Sequence, residues 1–451
     1  MPLKTVLFLG LFVVCTVGAL YTPLLGVLGY VAHYCIGPDR QWWEAPISHW
    51  GLRYSYTLAI ATAIGMALHW RRLRFGPRLF TRQEWLILLF LGIVWLATVL
   101  TAETTGRYTL VDHPSVKMTK VVVFALMLTH VITTPKRLDA LLWTLVVGSF
   151  ILGLQAYTTP YRQFASGRLE RIGGPDFAEA NFFGAFCVAM LPIIGMQFLR
   201  SGWIGKGVAL VAGAFTANAI VLTRSRSATV GFAAGLFAAA FAAPKRYRIP
   251  ILAGLVVAGA GLLYLSDPQF LERTSTILAE EEERDASAAS RIELAEAGWR
   301  MLKDHPFGIG AGNWYQTIER YLPQYPRKDS HNTFVKCAGE LGIQGIAVFL
   351  AIIANAFMIL RRLRRKAEEL PLPQRRDVQM MSFGLMISLL AYLVCCLPIT
   401  LLYIEVLWWL LVLPVAFERV VWNIEADLKT GKPKVDAATD GLLESEVAAS
   451  A

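Results

Sequence analysis

Residues Arg327 to Lys366 read RKDSHNTFVKCAGELGIQGIAVFLAIIANAFMILRRLRRK. A charged run holding one histidine leads straight into the apolar stretch 334–360, and that stretch stops at a basic hexapeptide. A helix needs roughly 20 mainly apolar residues to cross the hydrocarbon core of a bilayer, which this stretch exceeds. A basic exit is what membrane helices show on the cytoplasmic side. The segment therefore reads as a transmembrane helix with a polar mouth, and His331 and Asn332 stand in that mouth.

The rest of the chain has the same character. Of 451 residues 55% are hydrophobic and only 17% are charged, which excludes an ordinary soluble domain. The formal charge of +10 does not point to nucleic acid, because the basic residues fall in short clusters between apolar runs, as cytoplasmic loops do. Membrane lipids are the expected surroundings. The six cysteines lie in or beside apolar runs with no CxxC and no metal-type spacing, so they read as small buried hydrophobes.

About twelve apolar runs are long enough to span: 5–36 (broken near Pro23), 53–69, 83–101, 117–134, 138–155, 181–199, 205–223, 227–243, 249–265, 334–360, 378–397 and 400–418. KTVLFLGLFVVCTVGAL at the N-terminus resembles a signal peptide, but its apolar character continues to Cys35, so it reads as an uncleaved first span. The short connections RRLRFGPR, Lys136–Arg137, Arg200 with Lys206, KRYR and RRLRRK are basic, hence cytoplasmic. With an even number of spans, both termini are expected to be cytoplasmic. Gly37–Leu52, Thr101–Val116, Ala156–Ala180 and Ser266–Ser330 then lie outside. The expectation is an all-α integral membrane protein of about twelve transmembrane helices with a large helical periplasmic loop between the ninth and tenth spans. Its parts are N-terminal helices (1–155), central helices (156–265), the loop (266–333), C-terminal helices (334–420) and a polar, disordered cytoplasmic tail (421–451).

Arginines recur on the outer side, where the charge rule disfavours them: Arg168, Arg171, Arg224, Arg226 and Arg291. Such a cluster suggests a bound anion, although any one of them reads equally well as a snorkelling or paired residue. In the loop, SRIELAEAGWRMLKDHP has a capping box, Ser290 with Glu293, so a helix is expected to start there with Arg291 in its first turn. Free N–H groups at that turn and a guanidinium fork would together suit phosphate. GIGAGNW (Gly308–Trp314) lacks the strand and the sixth-position glycine of a dinucleotide site, so it reads as a tight turn with backbone close to a ligand. The short helix NWYQTIERYL is expected on the membrane surface, with Trp314, Tyr315 and Tyr321 at headgroup level. With Asp329 or Ser330 as N-cap, His331 falls in the first turn of the next helix, where the dipole keeps it neutral and able to accept a proton. A capping or core-facing histidine is the plainer alternative. Lys336 and Glu340 read as a mutually neutralising pair inside the span. The acidic run Glu280–Glu283 has no spaced ligand pattern and reads as a solvated face, not a metal site.

HPFGIGAGNW, then SHN, then AGELGIQGIAVFL, preceded by TRSRSA (Thr223–Ala228) and RIELAEAGW around Arg291, resemble the C-terminal region shared by bacterial O-antigen ligases and O-antigen polymerases. The likeness covers about residues 160–415. YCIGPDRQWWEAP in the first third looks more like ligase variants of exopolysaccharide or exosortase systems. The resemblance implies an inner-membrane glycosyltransferase with a periplasmic active site. It would move a glycan from undecaprenyl diphosphate to a sugar hydroxyl of lipid A–core, and would need no metal and no cofactor. On the matching motifs, His331 is the expected general base. Arg226 and Arg291 are the expected diphosphate ligands, Arg224 and Arg168 come second, and Asn332 orients the histidine or the acceptor. Inversion at the anomeric carbon is expected by analogy with glycosidases. The alternatives are a polymerase, a ligase acting on exopolysaccharide or protein, a lipid-linked sugar transporter and a structural partner. The chain has no internal repeat of the transporter kind, and its charged candidates gather at span ends.

Overall fold

Within a bilayer the backbone must satisfy its own polar groups, so apolar runs of this length close into helices. The computed structural model describes residues 1–101, 108–109, 111–160, 164, 167–275 and 286–430, and among these no strand occurs. Among the described residues seventeen α-helices run in order. The first seven are α1 (Leu3–Tyr21), α2 (Pro23–Ile36), the one-turn α3 (Ala45–Ser48), α4 (Tyr54–Leu68), α5 (Arg82–Leu100), α6 (Pro114–Val131) and α7 (Pro135–Thr158). There follow α8 (Ala180–Arg200), α9 (Trp203–Thr223), α10 (Arg226–Ala242) and α11 (Arg248–Leu265). The long loop contributes α12 (Pro268–Ser275), α13 (Ala286–Asp304) and α14 (Trp314–Tyr321), and the chain closes with α15 (Thr333–Lys366), α16 (Leu372–Cys395) and α17 (Glu405–Thr430).

Ten of these helices are long and apolar enough to cross a membrane, and α4 and α10 are shorter apolar helices. Each expected run thus has its helix, and all six cysteines are free and buried. α16 and α17 carry the most buried surfaces and form the middle of the bundle, whereas α11 is almost wholly exposed.

The first run departs from expectation. The helix ends at Tyr21, restarts at Pro23 and folds back on itself, so α1 and α2 form an antiparallel hairpin and not one broken span. Small residues allow the close approach: Cys15 lies against Gly29, Ala19 against Gly26, and the carbonyl of Ala19 against Gly65 of α4. The hairpin returns the chain to its starting face. The Thr5 hydroxyl donates to the carbonyl of Trp43, just beyond α2. Arg40 donates to the carbonyls of Gly174 and Pro175, and Tyr34 to Asp176, in the Ala156–Ala180 connection. The other end of the chain lies at the opposite end of the bundle, where Asp427 pairs with Arg74 at 2.6 Å. Thr5 and Asp427 therefore lie at opposite ends of the helical bundle, and the first apolar run, counted from the sequence as one broken span, holds two antiparallel helices. The tail boundary also moves. α17 continues to Thr430, and only 431–451 of the expected tail lies outside the described residues, as does the acidic run Glu280–Glu283.

α15 is interrupted at Gly342, whose φ of 70° and ψ of −167° are not helical. The interruption frees the carbonyls of Gly339 and Glu340, which accept from Ile309 N (3.0 Å) and Gly310 N (2.9 Å), while Ile343 N donates to Pro306 O. The glycine-rich segment is thus the partner of a broken membrane helix. Gly308, Gly310 and Gly312 all have φ near +90°, and a Cβ on Gly308 would lie 2.4 Å from the carbonyl oxygen of Glu340. Of the three, Gly308 lies against the backbone of the broken helix, while Gly310 and Gly312 lie against the side chains of Thr101 and Pro114.

Candidate functional site

The segment before α15 is held on three sides. Thr333 N donates to Cys396 O, the Thr333 hydroxyl donates to Ile399 O and accepts from Leu401 N, and Ser330 pairs with Thr400. Asn332, not Asp329 or Ser330, is the N-cap, and its Oδ1 accepts from Phe334 N (2.9 Å) and Val335 N (3.0 Å). His331 consequently stands outside the first turn, in the left-handed region with φ of 47°. A bulky residue is rarely held in that conformation unless its surroundings enforce it.

The surroundings of His331 favour its neutral form. Burial lowers its pKa first, and the cations of Arg291, Lys328 and Lys336 add to this against the opposing pull of Asp329. Asp329 also receives His331 N on Oδ2 (3.3 Å) and the Lys336 ammonium on Oδ1 (3.1 Å). Burial alone would raise the Asp329 carboxyl. Lys336, the Thr400 hydroxyl, His331 and the Tyr315 hydroxyl overcome it and bring the pKa to about 2. The expected Lys336–Glu340 pair is therefore not the one formed. Lys336 pairs with Asp329 and lies 4.2 Å from the Tyr315 ring centre, while Glu340 accepts from the Tyr403 hydroxyl (2.8 Å) and from Trp314 N.

In the loop, α13 already runs from Ala286, so Ser290 is not its cap and Arg291 lies beyond the first turn. Free N–H groups cannot help an anion at Arg291, and its side chain must act alone. Ser290 instead accepts from Lys328, and Glu293 accepts from Gln324 and Tyr325, which fastens α13 to the segment leading to His331. Trp314 is fully buried with Leu294, Met301 and Ile318, donating its indole N–H to Lys328 O, so it anchors the loop from within and presents no surface.

A cleft of ≈ 910 Å³ opens between α13 and the mouth of α15, with Arg291, Glu296, Trp299, Arg300, His331 and Asn332 in its wall. The structure thus brings Arg291, His331 and Asn332 together. Arg226, half-buried at the start of α10, is not in that wall. Its neighbour Ser227 accepts from Cys395 Sγ (3.4 Å), and the next residue, Cys396, accepts from Thr333 N, so α10 and α15 meet the same turn after α16. Arg224 is committed elsewhere. Buried, with φ of 46°, it pairs with Asp267 and donates to Gly167 O and to Gln269. Arg168 donates to Asn181 (2.7 Å) and to Thr223 O (3.2 Å), bracing the same turn.

Sequence reasoning missed two carboxylates. Asp329 was read only as a possible cap. Glu179, at the start of α8, was not singled out, yet the surrounding protein and the charges of Asp329 and Glu170 push its carboxyl above the ordinary value, against the pull of Arg168 and Lys336. No local pattern marks it, because its neighbours come from distant parts of the chain. Among the described residues no group of three histidine, cysteine, aspartate or glutamate side chains is placed to hold a metal ion.

A multi-pass α-helical membrane protein, with a cationic cleft where its long loop meets a helix mouth that bears a histidine, is the class these features define. Residues 211–350, about a third of the chain, match the Wzy_C family, described as O-antigen ligase. The stretch includes Arg224, Arg226, Arg291, His331 and Asn332, and Arg168 lies outside it. The family suggests ligase- or polymerase-type activity on lipid-linked glycan in a membrane. No curated protein matches the chain.

Proposed function

We propose that the protein is an O-antigen ligase, transferring a glycan from undecaprenyl diphosphate to a sugar hydroxyl of lipid A–core on the periplasmic face. The observation that carries this reading is the neutral His331 sharing a cleft with Arg291. In the reaction His331 takes the proton of the acceptor hydroxyl, and the oxygen attacks the anomeric carbon as the bond to the diphosphate oxygen breaks. The electron pair leaves on the diphosphate, where Arg291 and Arg226 balance the charge. The result is a single displacement with inversion, with no metal in the step. Arg224 and Arg168 hold the turn that carries Arg226 and do not bind the donor, and Asn332 fixes the helix start behind His331. The basic ends of α15 and α7 face the cytoplasm.

The test is transfer by purified protein, with a chelator present, from undecaprenyl diphosphate-linked glycan to lipid A–core. Product from the wild type, reduced about 10²-fold or more by His331→Ala, supports the ligase. Longer glycans on the carrier with no lipid A–core product would make the protein a polymerase, and no transfer to either acceptor would overturn both.

A further inference from the structure

The hexapeptide RRLRRK that ends α15 divides its charge between two faces. Arg362 and Lys366, four residues apart, point toward α17 and pair there with Glu418 (3.0 Å) and Glu425 (2.5 Å). Arg361, Arg364 and Arg365 lie on another face and pair with no carboxylate among the described residues. They line a crevice of ≈ 500 Å³ between α10, α15 and α16. Glu368 is the one carboxylate in its wall among the described residues, and the rest of the wall is Ala242, Phe357 and Met386.

Membrane topology requires basic residues at this end of the bundle, but it does not require three guanidinium groups to share a concave space with an apolar floor. We propose that this crevice binds an anionic glycerophospholipid of the inner leaflet, its phosphodiester on Arg361, Arg364 and Arg365 and an acyl chain along Phe357 and Met386. Three cations against one carboxylate leave an excess of positive charge that an anion neutralises, and the guanidinium fork matches phosphate oxygens. The space corresponds to on the order of fifteen water volumes, far more than a free phosphate ion fills. Its apolar floor suits a chain and not a solvated ion. Arg364 is fixed at the site by donating to Ala242 O at the end of α10 (3.2 Å), so the crevice is held open by the fold itself. The site lies at the opposite end of α15 from His331 and is independent of the transfer reaction.

The test uses delipidated full-length protein in zwitterionic detergent, titrated separately with phosphatidylglycerol, phosphatidylcholine and inorganic phosphate. Bound lipid is counted by native mass spectrometry, and the unfolding midpoint is followed. R361Q/R365Q keeps the Arg364 bond to α10 and so protects the fold, R361Q/R364Q/R365Q removes the whole cluster, and R362Q removes one charge from the α17 face as a control. Expected is one phosphatidylglycerol retained and an upward shift in midpoint. Affinity should fall about tenfold or more in R361Q/R365Q and persist in R362Q. Equal binding of phosphatidylcholine would reduce the site to an apolar groove, and a full shift with inorganic phosphate alone would make it a free-anion site. Unchanged phosphatidylglycerol affinity in R361Q/R365Q would also overturn the proposal.

Discussion

His331 owes its protonation state to position and not to type. Burial and three nearby cations lower its pKa below 6.5, while Asp329 alone works the other way. A general base acts in its unprotonated form, which exists above its pKa, so transfer should persist as pH falls through 6.5 and decline only at a lower pH. An acid limb centred at or above 6.5 in the pH–rate profile would contradict the base role. Four described non-glycine residues have positive φ, namely Arg171, Arg224, Arg327 and His331, and all lie in the loops at the His331 end. Of the TRSRS arginines, Arg224 is buried and ion-paired while Arg226 is half-buried at a helix start. Arg224→Ala strands Asp267 and opens a cavity, so its main effect should be a loss of stability of about 2–3 kcal/mol, read as a lower unfolding midpoint. Arg226→Ala should leave the midpoint near wild type and lower transfer about 10²-fold. The reverse pattern in a thermal-shift and activity comparison would exchange the two roles.

The break in α15 joins membrane and loop. Gly342 has φ of +70°, and a Cβ there would lie 2.4 Å from the carbonyl carbon of Phe307. Gly342→Ala should therefore push the 306–310 segment off its carbonyl partners and lower stability by about 2–3 kcal/mol. Gly92→Ala on α5, where nothing lies within 4 Å, should be close to neutral in the same unfolding measurement. AGELGIQG looked from its sequence like an ordinary start to a span, and GIGAGNW like a turn. Each is explained only by the other, and no periodicity links residues thirty positions apart. The start of α13 was misjudged for a different reason: a capping box is a local preference, and DASAAS before it is helix-compatible, so the helix continued past it. The mouth at His331 was legible because the change from charged to apolar residues is abrupt. The neutrality of the histidine was legible too, although its cause was not.

At the level of the molecule, helix positions follow from hydropathy, because the bilayer imposes length and composition on every pass. The hairpin at Thr22–Pro23 was not legible, since a turn made of Tyr, Thr and Pro between apolar arms contains no charge to mark it. Its consequence is testable: with Thr5 beside Trp43 and Asp427 beside Arg74, reporters fused to the two ends of the chain should report opposite sides of the membrane. Two reporters on one side would mean that α1 and α2 do not fold back in the cell. The docking of residues 306–310 on α15 also bears on the order in which the protein is made. The loop leaves the ribosome before the helix whose open carbonyls receive it, so the bonds from Ile309 and Gly310 can form only once α15 has been made. The cleft is then completed late, and a chain cut short before Gly342 would keep α13 tied to the 324–328 segment but lack the Leu397–Pro398 side of the wall.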